Sequence, residues 1–84
     1  MNRQYRVIAG PYRIAKRYAQ SRGWTEDEFI IVTRAHQLRG LDPALIASII
    51  FVKFNDLGQR IVAEIREEIH LMRALWPVPM SAAA

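Results

Sequence analysis

Six cations are the residues of this chain whose type and spacing suit a definite chemistry: Arg13, Lys16, Arg17, Arg34, Arg39 and Lys53. Guanidinium and ammonium groups bind phosphate oxygens by charge and by hydrogen bonds, without needing a reactive centre. Arg13, Lys16, Arg17 and Gln20 stand at i, i+3, i+4 and i+7, so a helix through them carries one basic face able to track a phosphate backbone. The same face read conservatively is a solvated helix surface. Tyr12 and Tyr18 are candidates for stacking on bases, although the phase of Tyr18 with Ile14 and Ala15 points it at a core.

Residue sets that would support catalysis are thin. The chain has no cysteine, hence no disulfide, thiolate zinc site or cysteine nucleophile, and a reducing cytoplasmic setting is expected. His36 and His70 have no metal-pair spacing, and Ser21 and Ser48 have no histidine or acid at a recognisable distance in sequence. Glu64, Glu67 and Glu68 are expected on the solvated face of a helix, with Arg60 as an ion-pair neighbour. The expectation is a protein without catalytic residues, metal or cofactor.

The charge is unevenly placed. Net charge is +4 with a pI near 10.1; residues 1–40 hold eight Lys/Arg against Glu26, Asp27 and Glu28, giving +5, and residues 41–84 hold four against five, giving −1. A basic half-chain attracts anionic partners over about a Debye length. The longest nearly apolar run, Leu45 to Val52, is far short of the ~18 residues that a membrane span needs. The N-terminal residues lead into no apolar signal region. Eighty-four residues, 51% hydrophobic and 24% charged, suit one small soluble domain with no room for a deep pocket.

The elements that must position the cations follow from period and punctuation. Residues 4–9 end at Gly10-Pro11 and read as a strand. Tyr12 onward changes to helical spacing, with Gly23 as its stop and Trp24 packing back on the helix. Thr25 to Glu28 imitates a helix capping box, yet Phe29-Ile30-Ile31-Val32 is aromatic and β-branched, so 28–33 is read as a second strand. Residues 33–40 read as one short helical turn or an ordered loop, 42–46 as a turn, and 48–53 as a third strand. Asn55 or Asp56 then caps a helix whose apolar stripe is Leu57, Ile61, Ile65, Ile69, Met72 and Trp76. Pro77 and Pro79 end it. The domain is thus expected over 1–77, with 78–84 a loose tail.

The order β-α-β-(short helix)-β-α predicts an α/β fold: a small, three-stranded, mainly parallel sheet, half of a doubly wound domain. Parallel strands bring the segments after each of them to one edge, where open α/β sheets bind ligands. Arg13, Arg34, Arg39 and Lys53 would share that rim with helix N-termini. The rim lacks the three glycines of a dinucleotide fingerprint and the Gly-Lys-Ser/Thr of a triphosphate loop. Gly10 itself is read first as a tight strand-to-helix turn.

Val7-Ile8-Ala9-Gly10 leading into Arg13 to Ala19, then Phe29-Ile30-Ile31-Val32 and Leu38-Arg39-Gly40-Leu41, resembles a group of short Rossmann-like α/β accessory proteins of actinobacterial bacteriophages. The likeness covers residues 5–54. It implies a small accessory protein acting in the host cytoplasm, without assigned biochemistry; Gly10-Pro11-Tyr12 stands where nucleotide-binding relatives carry a phosphate loop.

The function expected from the sequence is a binding module that contacts DNA, RNA or another phosphate-bearing partner through the six cations, chiefly by backbone charge. The alternative is a protein-interaction module that docks on a host or phage protein, or forms a homo-oligomer, through uncovered sheet and the Trp76 end of the last helix. A degenerate nucleotide-binding fold is a third reading. No membrane partner is expected.

Overall fold

A computed structural model describes residues 4–75 and 80–83. Its elements are β1 (Tyr5–Ala9), α1 (Tyr12–Ser21), β2 (Phe29–Val32), α2 (His36–Arg39), β3 (Ile46–Val52), α3 (Gln59–Leu75) and β4 (Met80–Ala83), with 3-10 turns at Pro43–Leu45 and Phe54–Leu57. The strands lie in the order β2-β1-β3-β4 and every pairing is parallel. The expected three-stranded parallel sheet is present as β2-β1-β3 and is extended by β4. Residues 80–83, expected within a loose tail, instead run beside β3, Ile49 to Val52 standing opposite Met80 to Ala83.

The faces follow from chain direction. From β1 to β2 the chain steps one way across the sheet, and from β2 to β3 and β3 to β4 it steps the other way. Right-handed crossovers then put α1 on one face and α2 with α3 on the opposite one. The two cores divide in that way. Ile8, Ile50 and Val52 pack with Ala15 and Ala19 of α1, whereas Val7, Ala9, Val32 and Ile49 pack with Leu38 of α2 and with Val62, Ile65, Ile69 and Met72 of α3. Strands covered on both faces need continuous apolar runs, which is why Phe29 to Val32 and Ile49 to Val52 show no polar alternation.

Local chemistry sets each boundary. Gly23 adopts φ 72°; its N–H donates to the Gln20 carbonyl and that of Trp24 to the Ala19 carbonyl, the paired bonds of a glycine-terminated helix. Trp24 then meets Tyr18 edge-to-face at 5.8 Å, and Arg6 stacks over the Trp24 ring at 4.5 Å. Only half of the box at Thr25 forms: the Thr25 N–H and Oγ1 donate to Glu28 Oε1, but the Glu28 N–H donates to the Thr25 carbonyl and not to its hydroxyl. It closes a turn into β2, since Phe29 to Val32 are worth more buried in the sheet than as a helix.

Two expectations are displaced. The third strand begins at Ile46, not 48, and a register shift between Tyr5 and Arg6 leaves Ala47 as an extra residue, Tyr5 pairing with Ile46 and Arg6 with Ser48. That bulge puts Ile46 and Ile49, three residues apart, into the same core. The long helix begins at Gln59, so Asn55 and Asp56 lie in the preceding 3-10 turn and do not cap it. Leu57, expected as the first residue of its stripe, lies in that 3-10 turn as well; Ile65, Ile69 and Met72 are buried as expected, Ile61 is partly buried and Val62 joins the buried set; Trp76 lies outside the described residues.

Candidate nucleic-acid interface

Three of the six cations come to the carboxyl edge of the sheet. Arg13 is the second residue of α1, directly above the end of β1; Arg34 follows the end of β2 by two residues, and Lys53 follows β3 at once. All three are exposed. Among the described residues no ion pair joins any of them to an acid. The edge has an acid of its own, Asp56, also exposed, while Glu26, Asp27 and Glu28 sit at the opposite edge, where β2 begins.

β1 and β3 are neighbours whose chains leave in opposite directions, so the switch point of this sheet lies between them. It is tightly closed. A Cβ placed on Gly10 would overlap the carbonyl oxygen of Val52 and come within 2.8 Å of its Cγ2, and the Gly10 N–H donates to the Val32 carbonyl at 3.2 Å. Gly10 is therefore required by close approach of two strand ends. Among the described residues the two strand ends touch at this point.

Lys53 stands beside this junction with φ 42° and ψ 40°, the single non-glycine residue of positive φ among those described. An L-residue in that region costs on the order of 1 kcal/mol. Lys53→Gly is accordingly expected to be more stable than Lys53→Ala by about 1 kcal/mol, although glycine has the larger unfolded-state entropy. Urea unfolding of the two variants checks this; equal midpoints would contradict the left-handed backbone. Both variants lose the cation.

Arg34 reaches an open cleft of about 510 Å3 at the start of α3, lined also by Gly58, Gln59, Arg60 and Glu64. Arg60 Nε lies 3.7 Å from Glu64 Oε1, an exposed i,i+4 pair of little energetic weight. The sequence reading did not place Arg60 at this rim, because it started the helix at Asn55 or Asp56. The available signal was Gly58, which separates Leu57 from Gln59.

Lys16 and Arg17 lie one turn further along α1 and extend the basic rim down its outer side, where Lys16 Nζ sits 5.7 Å above the Tyr12 ring. Tyr12 is 56% exposed and Tyr18 is half-buried against the α1 core, so of the two only Tyr12 is free to stack on a ligand.

Arg39 does not join them. It ends α2, and its Nε donates to Glu68 Oε1 of α3 at 2.7 Å. The hydrogen bond first and the carboxylate charge second hold Arg39 more firmly protonated than an ordinary arginine. It lies on the α2–α3 side, away from the strand ends, and shares its charge with Glu68 although its side chain is 67% exposed, so the strand-end rim is built without it. Glu68 is likewise not a solvated carboxylate; its side chain is 16% exposed. The sequence could not show this pair, because it joins residues 29 apart on two helices whose packing depends on the crossover.

His36 opens α2 and His70 lies on the exposed side of α3. Among the described residues no group of three His, Asp or Glu side chains would hold a metal ion, and no helix is long and apolar enough to cross a membrane.

What fold and rim define is a small all-parallel α/β domain whose carboxyl edge carries exposed cations, without an ion pair among the described residues, beside the Gly10–Val52 contact. No family model matches the chain, and neither a curated protein nor a solved structure matches it.

Proposed function

We propose that this protein is a binding module for nucleic acid or another phosphate-bearing polyanion, held by Arg13, Arg34 and Lys53 along the sheet edge and by Lys16 and Arg17 along α1. The observation that carries this reading is that three consecutive parallel strands each deliver to one edge an exposed cation that has no acidic partner among the described residues. The first turn of α1 contains no acid, so its free N–H groups add to the field. Recognition would be of backbone charge with little base readout: Gly10 and Val52 bring the strand ends into contact at the switch point, and among the described residues Tyr12 alone offers an exposed aromatic face at the rim.

The test is fluorescence anisotropy of labelled single- and double-stranded DNA and RNA at about 50 and about 200 mM salt, since each phosphate contact on a duplex adds about 0.9 to the slope of log affinity against log salt. Five contacts predict a loss of roughly five-hundredfold over that interval. No saturable binding at the lower salt would overturn the proposal.

A further inference from the structure

Tyr12 opens α1 at the rim and is, with Leu71, one of two large apolar side chains that stay more than half exposed among the described residues. The other aromatic rings on the α1 side are engaged. Tyr18 and Trp24 meet edge-to-face, Arg22 lies over Tyr18, Arg6 lies over Trp24, and Phe29 packs against the α1 core. Tyr12 joins neither core. Cations border it instead: Arg13 follows it in the chain, and Lys16 Nζ lies 5.7 Å from its ring centroid.

The ring borders a cleft of about 280 Å3 that is lined also by Lys16, Glu26, Phe29 and Ile31. Small-molecule pockets run upward from about 300 Å3, so this volume suits one planar ring system better than a whole nucleotide. Phe29 and Ile31, both half-buried, give it apolar surface. Its two charges are of opposite sign, and among the described residues Lys16 and Glu26 form no ion pair that would bridge the space between them. The Glu26 carboxylate repels phosphate, whereas Arg13, Lys16 and Arg17 attract it. A polyanion lying along α1 therefore keeps its backbone on the cationic side and places only an uncharged group in the cleft.

Resting on the polyanion reading above, we propose that the polyanion is single-stranded nucleic acid, and that the cleft takes one unpaired base stacked on Tyr12 while Arg13 and Lys16 hold the phosphates beside it. A base in a duplex is paired and stacked on its neighbours, and it reaches a cleft beside the phosphate-binding face only by being flipped out at a cost. A base of a single strand is free to enter. Stacking on an aromatic ring tolerates any base, because every base has a π-face. Tyr12 thus senses an unpaired base without reading its identity, in keeping with recognition dominated by backbone charge.

Fluorescence anisotropy at about 50 mM salt compares three labelled probes: a single strand without self-complementarity, the duplex of the same length, and an abasic strand with as many phosphates as the first. The parent protein is expected to bind the single strand about tenfold more tightly than the abasic strand. Tyr12→Ala, a surface change, should remove that difference while the affinities for abasic strand and duplex, and the salt slope, stay as in the parent. Tyr12→Phe keeps the ring and should bind as the parent does. Equal binding of the base-bearing and abasic strands by the parent overturns the proposal and leaves the polyanion reading standing. A Tyr12→Ala protein that binds all three probes more weakly by the same factor also overturns it. No saturable binding of any probe removes both readings.

Discussion

Gly10→Ala is expected to destabilise the domain by about 3 kcal/mol, the upper end of the range for overpacked core sites. The added Cβ would have to share space with the Val52 carbonyl oxygen, and it would come within 2.8 Å of Val52 Cγ2. Neither atom can step aside cheaply. The oxygen belongs to the backbone of β3, and Val52 is fully buried against α1. Relief would require β1 and β3 to separate at their carboxyl ends, where they form the centre of the sheet. In a domain of this size 1 kcal/mol is worth about 4–8 °C, so Tm should fall by about 12–24 °C. Gly40→Ala is the control, since a Cβ there meets nothing within 4 Å and φ is −90°; its midpoint should stay close to that of the parent. A Gly10→Ala protein melting within a few degrees of the parent would mean that the strand ends are not in contact.

The second large effect concerns binding. Arg13→Glu combined with Lys53→Glu is expected to weaken nucleic-acid affinity at about 50 mM salt on the order of a hundredfold, and to make the salt slope shallower by about 2. Both side chains are exposed and, among the described residues, neither forms an ion pair, so the fold should survive the change. Circular dichroism and the melting midpoint verify that it does. The matching control is Arg39→Ala, whose guanidinium is already engaged by Glu68; this change should leave the salt slope unaltered. If Arg39→Ala alters binding as much as the double reversal, the interface lies on the α2–α3 face and the rim assignment is wrong.

Most of the secondary structure was legible because its signals are local. Gly23 and Trp24 encode a helix end within six residues, and the stripe of Ile61, Ile65, Ile69 and Met72 needs only the helical period. The start of β3 was misplaced by two residues because a bulge at Ala47 breaks the alternation on which a strand is read, and a bulge depends on the partner strand. Asn55 and Asp56 looked like helix caps because cap preference is a property of residue type. Whether a cap is used depends on where the chain turns, and here Gly58 delays the helix. β4 was missed for a different reason. Met80-Ser81-Ala82-Ala83 has little strand propensity, and it pairs because β3 leaves an open edge beside it.

The candidate rim divides in the same way. Residue type and the β-α-β order by themselves determined that Arg13, Arg34 and Lys53 follow strand ends, and a parallel sheet brings such ends to one edge. Only the tertiary structure decided that Arg39 is matched by Glu68, that the switch point is closed by Gly10 against Val52, and that Lys53 is held in a left-handed backbone. It also decided that β2 and β4 form the two edges of the sheet. Each of these depends on contacts between residues distant in sequence, set by the order of strands and the hand of crossovers, whereas propensity and period describe only neighbours along the chain.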